Sequence, residues 1–170
     1  MNKLLAAILV STLTACATPG QGPSASASLT PTKGNTTSGT VTFTQNGAKV
    51  LVNADISGLT PNAEHGFHVH DKGDCSSGDG MSAGGHFNPT AQAHGAHQSE
   101  AHHAGDLPSL KADANGRAKL VFESTSITIG TGASNIIGRG LIVHRDPDDH
   151  TTQPTGNAGP RLACAVIAAN

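Results

Sequence analysis

Tryptophan and tyrosine are absent from this 170-residue chain, and four phenylalanines are its whole aromatic complement. Aliphatic side chains must therefore fill the core, and stacking platforms for single-stranded nucleic acid have little to be built from. Charge is sparse too: Asp, Glu, Lys and Arg make up 13% of residues and the formal net charge is −2, which disfavours binding to a phosphate backbone. No segment carries a sustained helical apolar stripe. What the chain has in quantity is glycine (21), histidine (10) and proline (9), a composition that points to β structure joined by long loops.

The N-terminus reads MNKLLAAILVSTLTAC: a lysine, an apolar stretch from Leu4 to Val10, then small residues before Cys16. The apolar stretch is too short for a permanent membrane anchor and reads as an export signal over residues 1–15. The string Leu13-Thr14-Ala15-Cys16 resembles a bacterial lipobox, which implies cleavage before Cys16 and lipidation of that residue. The plainer alternative is an ordinary secretory signal with a chance cysteine. Cleavage leaves 155 residues, enough for one domain, with nine basic and twelve acidic side chains and a net charge of −3. Residues 16–26, rich in Pro, Gly, Ser and Ala, read as a flexible tether, with the folded domain at 27–170. Three cysteines leave one over; if Cys16 carries lipid, Cys75 and Cys164 remain as a pair in an oxidising compartment. Two free buried thiols are the other reading.

Short alternating runs follow the tether. Strands are expected near Ser28–Lys33, Thr40–Thr44, Lys49–Ile56, Glu64–His70, Ser109–Ala112, Arg117–Phe122, Gly140–His144 and Leu162–Ala168. Asn46-Gly47 and Asn115-Gly116 read as hairpin turns between the runs that flank them. About eight strands suggest an antiparallel sandwich or flattened barrel. Asp71–Leu107 and Arg145–Pro160 lack strand pattern, and loops of that length in a compact domain usually carry function.

The chemistry sits beside those loops. In the run His68-Val69-His70, strand alternation sends both imidazoles to one face and Phe67 and Val69 to the other. His144 lies among apolar residues in another strand, and buried imidazoles need partners. Imidazole coordination with an open side suits copper. Within 21 residues, His86, His94, His103 and Asp106 supply three imidazoles and a carboxylate, a closed set suited to zinc. Taken alone, such a loop is also compatible with mere solvation.

Two stretches, Gly66-Phe67-His68-Val69-His70-Asp71-Lys72-Gly73-Asp74-Cys75 and Gly156-Asn157-Ala158-Gly159-Pro160-Arg161-Leu162-Ala163-Cys164, closely resemble the two signatures of copper/zinc superoxide dismutases. The resemblance covers roughly Ala27 to Asn170. It implies an all-β fold, an eight-stranded antiparallel Greek-key barrel of Ig-like sandwich type with two long metal-binding loops. By the same resemblance, copper is held by His68, His70, His86 and His144, and zinc by His86, His94, His103 and Asp106. His86 then bridges the two ions. Asp148 is implied as the carboxylate linking His68 and His94, Cys75 and Cys164 as the disulfide, and Arg161 as the cation that holds a small anion beside copper. The implied activity is dismutation of superoxide to dioxygen and hydrogen peroxide by alternating reduction and oxidation of one copper per subunit, with one zinc per subunit redox-silent.

The segment from His144 to Arg161 departs from the eukaryotic pattern, being short and lacking a Lys/Glu-rich stretch; Lys72 is a candidate for local positive charge. His97, His102 and His150 read as solvated loop residues, and His65 as a residue behind the site or on the surface. His103 is preferred over His102 because His103-Ala104-Gly105-Asp106 keeps the family's spacing. A copper-delivery protein on the same fold and a zinc hydrolase are the competing classes. The first typically loses a ligand or the arginine, and the second lacks a vacant zinc position here. The expected setting is exported and periplasmic or cell-envelope, tethered to a membrane only through Cys16, with Ala17 compatible with outer-membrane sorting. The chain is expected to be a monomer or homodimer.

Overall fold

The computed structural model describes residues 22–170; the stretch read as an export signal, and Cys16, lie outside the described residues. The strands are β1 (Ser24–Pro31), β2 (Ser38–Asn46), β3 (Lys49–Ser57), β4 (Glu64–His65), β5 (Phe67–His70), β6 (Leu110–Lys111), β7 (Ala118–Ser124), β8 (Gly140–His144), β9 (Arg161–Val166) and β10 (Ala168–Ala169). Eight form one antiparallel sheet in the order β5-β8-β9-β1-β2-β3-β7, with β10 added to β1, while β4 and β6 pair separately. This is the curled, all-β Greek-key arrangement that the family resemblance implies.

Period-two patterning builds the core. Val41 and Phe43 on β2, Val50, Val52 and Ile56 on β3, and Phe67 and Val69 on β5 are fully buried, each contributing about 1.5–3 kcal/mol. β5 buries both faces, because the side opposite Phe67 and Val69 carries His68 and His70.

Three sequence expectations need correction. The sequence extends the tether to residue 26, but β1 begins at Ser24, pairs with β2 and points Ala25 and Ala27 into the core. The first hairpin turns on Gly47 and Ala48 rather than Asn46-Gly47, since Asn46 pairs with Lys49 and Gly47 takes a φ of 59°. The runs around Asn115-Gly116 do not pair with each other: β6 joins β4 and β7 joins β3. The turn itself exists, held by the Asp113 carboxylate accepting from the N–H groups of Asn115 and Arg117, but it serves as a corner between two sheets.

The long loops fall where expected, at 71–109 and 145–160, the first broken only by a 3₁₀ turn at Met81–Ala83. Part of the first loop lies along the free side of β5. His86 pairs with His70 and Asp106 with His68 as isolated bridges, and Val69, Phe87 and Gly105 exchange three backbone hydrogen bonds of 2.9 Å. The edge strand is thereby covered. Gly105 makes this approach feasible, because a Cβ there would overlap the Val69 carbonyl oxygen.

Candidate metal centre

Backbone pairing therefore carries His86 and Asp106 to the strand that bears His68 and His70. His144 arrives from β8, and a register shift between Val143 and His144 sets it opposite Arg161, where an unbroken ladder would place Leu162. Bulges of this kind re-aim side chains beside active sites. The result is two groups with ligand atoms within 4.8 Å of one another: His68, His70, His86 and His144, and His86, His94, His103 and Asp106. All seven residues are buried, and His86 belongs to both groups.

In the first group the outer nitrogen of each ring is committed elsewhere. His70 Nδ1 lies 2.9 Å from the Gly84 carbonyl and His144 Nδ1 lies 3.1 Å from the Gly159 carbonyl, so both must donate. Each neutral ring then presents a bare Nε2 lone pair, and these face each other at 3.3 Å. His68 Nε2 is 3.0 Å from Asp148 Oδ2, leaving Nδ1 buried without a partner, and His86 Nε2 is likewise buried and unpartnered. Lone pairs turned toward one another need a cation among them. Protons fit poorly there: burial pushes His68 down to about 4 and His144 to about 3, and holds His70 well below the usual imidazole range. A nitrogen-loving metal ion fits.

The second group surrounds one carboxylate. Asp106 Oδ1 lies 2.8 Å from His86 Nδ1 and 3.4 Å from His103 Nδ1, while Oδ2 lies 3.1 Å from His94 Nδ1. The N–H of His103 at 2.8 Å also binds Oδ2. Despite burial, its hydrogen bonds from His86 and His94 hold Asp106 far below the usual carboxylate range, so it stays anionic. Three ring nitrogens and one anion in a closed shell match a tetrahedral zinc site.

Asp148 joins the two groups. Its side chain is 1% exposed, with Oδ2 on His68 and Oδ1 3.2 Å from His94 Nε2. Burial works against the charge of His94, but Asp106 and Asp148 raise it to about 10.

These opposed shifts set a pH dependence for the metal-free protein. His68, His70 and His144 take up protons less readily folded than unfolded, so their contribution is intact above about 6.5 and is lost as pH falls toward 4. His94 acts oppositely, contributing fully below about 6.5 and losing that contribution as pH rises through about 10. Between pH 7 and 5 these three rings, together with His97 and His103, which burial also lowers, decide the slope, so the urea midpoint of the metal-free protein should fall, each of the three costing on the order of 1 kcal/mol. A midpoint flat across that interval would contradict the buried, neutral state of these rings.

The open side of the first group is a cavity of about 270 Å³ lined by His70, His86, His144, Met81, Asn157 and Arg161. The half-buried Arg161 guanidinium donates to the Gly80 carbonyl and, at 2.6 Å, to the Gly84 carbonyl that also receives His70. Cys75 and Cys164 form a disulfide, closing 89 residues and tying this part of the loop to β9. With Ala83 and Ile142 they make a small apolar cluster of their own.

His103, not His102, turns toward the second group, as its spacing to Asp106 indicated. Two of the histidines read as solvated are instead packed: His97 Nδ1 donates to the Asp106 carbonyl at 2.8 Å with its ring against Phe122, and His102 Nε2 meets Ser126 Oγ at 3.2 Å. His150 is 43% exposed, and Lys72 is exposed. His65 is fully buried behind the site, with Nδ1 3.0 Å from the His144 carbonyl. Sequence reasoning missed the Gly80 and Gly84 carbonyls and Gln153, since backbone acceptors leave no mark in spacing and a lone glutamine in a loop signals nothing.

A β-barrel whose loops gather two imidazole-rich clusters around one shared ring defines a dinuclear metalloprotein. Comparison with known proteins gives the family: residues 37–167 match the model described as copper/zinc superoxide dismutase (SODC). A Cu-Zn superoxide dismutase of Paramecium bursaria Chlorella virus 1 is 48% identical over 135 residues, covering 76% of this chain and 71% of that protein. Superoxide dismutase (Cu-Zn) 2 of Aquifex aeolicus (strain VF5) is 36% identical, covering 98% of this chain and 99% of the relative. The crystal structure of the clock protein EA4 superposes with a TM-score of 0.78 at 41% identity, covering 85% of this chain and 93% of that one. The chain belongs to the copper/zinc superoxide dismutase family; its cofactors are copper and zinc, and its substrate is superoxide.

Proposed function

We propose that His68, His70, His86 and His144 hold copper, that His86, His94, His103 and Asp106 hold zinc, and that the chain removes superoxide outside the cytoplasm, anchored to a membrane by lipid on Cys16. The observation carrying the ligand assignment is His86, whose Nδ1 faces Asp106 at 2.8 Å while its buried Nε2 has no protein partner. Copper would supply the one-electron acceptor and donor that the two halves of dismutation require, and zinc a fixed positive charge.

The protein's own groups do the rest. Arg161 lines the mouth of the cavity and cannot lose its proton at working pH, so it binds the incoming anion. Asp148 orients His68 and His94 together, and the Gly84 and Gly159 carbonyls fix which nitrogen of His70 and His144 faces inward. His86 Nε2 takes up a proton and gives it to the departing product, the ring remaining held through Nδ1. The buried walls limit water to the open mouth.

Arg161→Ala should lower superoxide turnover by about one to two powers of ten, from the ~1.5–3 kcal/mol typical of hydrogen bonds to charged groups, with copper content unchanged. Pulse-radiolysis or stopped-flow kinetics on the metal-loaded domain would measure it; equal turnover in the variant removes Arg161 from anion binding. The export reading is supported by the lipobox-like Leu13-Thr14-Ala15-Cys16 and by the Cys75–Cys164 disulfide, which suits an oxidising compartment. Labelling with a radioactive fatty acid tests it: label retained in Cys16→Ala, or a mature protein beginning elsewhere than Cys16, would refute the anchor.

A further inference from the structure

The segment that carries Asp148 grips His94 a second time. The Gln153 side-chain amide accepts from the His94 backbone N–H at 2.9 Å and donates to the His94 carbonyl at 2.9 Å. His94 needs such partners, because it lies in a stretch without strand or helix and its backbone groups have no ladder. Two hydrogen bonds from one planar amide fix both the position and the rotation of the residue they hold. The turn presenting Gln153 is built locally, with the Thr151 and Thr152 hydroxyls donating to Asp149. Gly156, three residues on, closes over the same ring: a Cβ there would overlap Asp148 Oδ1 and His94 Nε2.

We propose that Gln153 is a positioning residue for zinc retention, its amide clamping the His94 peptide so that Nδ1 stays aimed into the Asp106 cluster. The inference rests on the reading of His94 as a zinc ligand. Gln153 touches none of the reacting atoms and acts only through the His94 backbone. By reciprocity, zinc occupancy and the order of the 145–160 segment are linked, since each favours the conformation the other requires.

The test times zinc release from copper- and zinc-loaded protein into an excess of a pyridylazo dye, for the native chain, Gln153→Ala, Gln153→Glu and His94→Ala. Cobalt placed in the zinc site gives a parallel ligand-field spectrum. Gln153 is exposed, so its replacement spares the core. Gln153→Ala should release zinc about tenfold faster, the lower end of the effect of groups that orient metal ligands, with copper content retained and the cobalt band altered. Gln153→Glu keeps the acceptor for the N–H and loses the donor to the carbonyl, so it should fall between. Native release rates in both Gln153 variants, with His94→Ala losing zinc at once, would overturn the clamp and leave the ligand reading standing. Zinc held normally by His94→Ala would overturn the ligand reading itself. Lower thermal stability with an unmoved cobalt spectrum and zinc rate would mark a merely structural glutamine, and that too sinks the proposal.

Discussion

His86→Ala should lower superoxide turnover by about two powers of ten or more, the scale of a lost positioned acid–base group, while the barrel stays folded. The side chain is 1% exposed, with its ring 3.9 Å centre to centre from His68 and Nδ1 2.8 Å from Asp106. Removing it deletes one donor from each cluster at once and leaves Asp106 Oδ1 short of a partner. The backbone bridge from residue 86 to His70 does not depend on the imidazole, so the loop keeps its seat on β5. Three donors remain in each cluster, so both metals should still bind, more weakly. The decisive measurement is turnover per copper atom alongside metal content. Full turnover per copper in the variant would exclude a shared ring as the proton-handling group.

The second large effect is on stability. Replacing Cys75 and Cys164 together by alanine should destabilise the domain by about 4 kcal/mol, as the chain-entropy model gives for a closed loop of this length. For a domain of this size that corresponds to about 8–16 °C in melting temperature. The disulfide closes 89 residues and fastens a loop that contains little regular structure. Reducing the native chain should reproduce the shift, and no shift in either case would mean that the loop is held by metals and backbone pairing alone. Turnover should fall as well, because the fastened loop carries the Gly80 and Gly84 carbonyls that aim Arg161.

The legibility of these features divides along physical lines. The His68-Val69-His70 alternation and the two long loops are legible because strand periodicity is local, whereas the choice of His103 over His102 rests on the spacing that the family resemblance implies. The pairing of β6 with β4 and of β7 with β3 is not legible, since Asn115-Gly116 announces a turn but says nothing about which strands it separates. The bulge that brings His144 opposite Arg161 depends on a ladder between residues distant in sequence. His97 and His102 look solvated in the sequence because the groups that pack them from outside their loop, Phe122 and Ser126, lie on segments distant in sequence.

One carbonyl oxygen, that of Gly84, receives both the His70 imidazole and the Arg161 guanidinium. It serves as a common datum: ring and cation come from two different strands, yet both are referenced to one peptide oxygen, so the gap into which a diatomic anion must fit is framed from a single point.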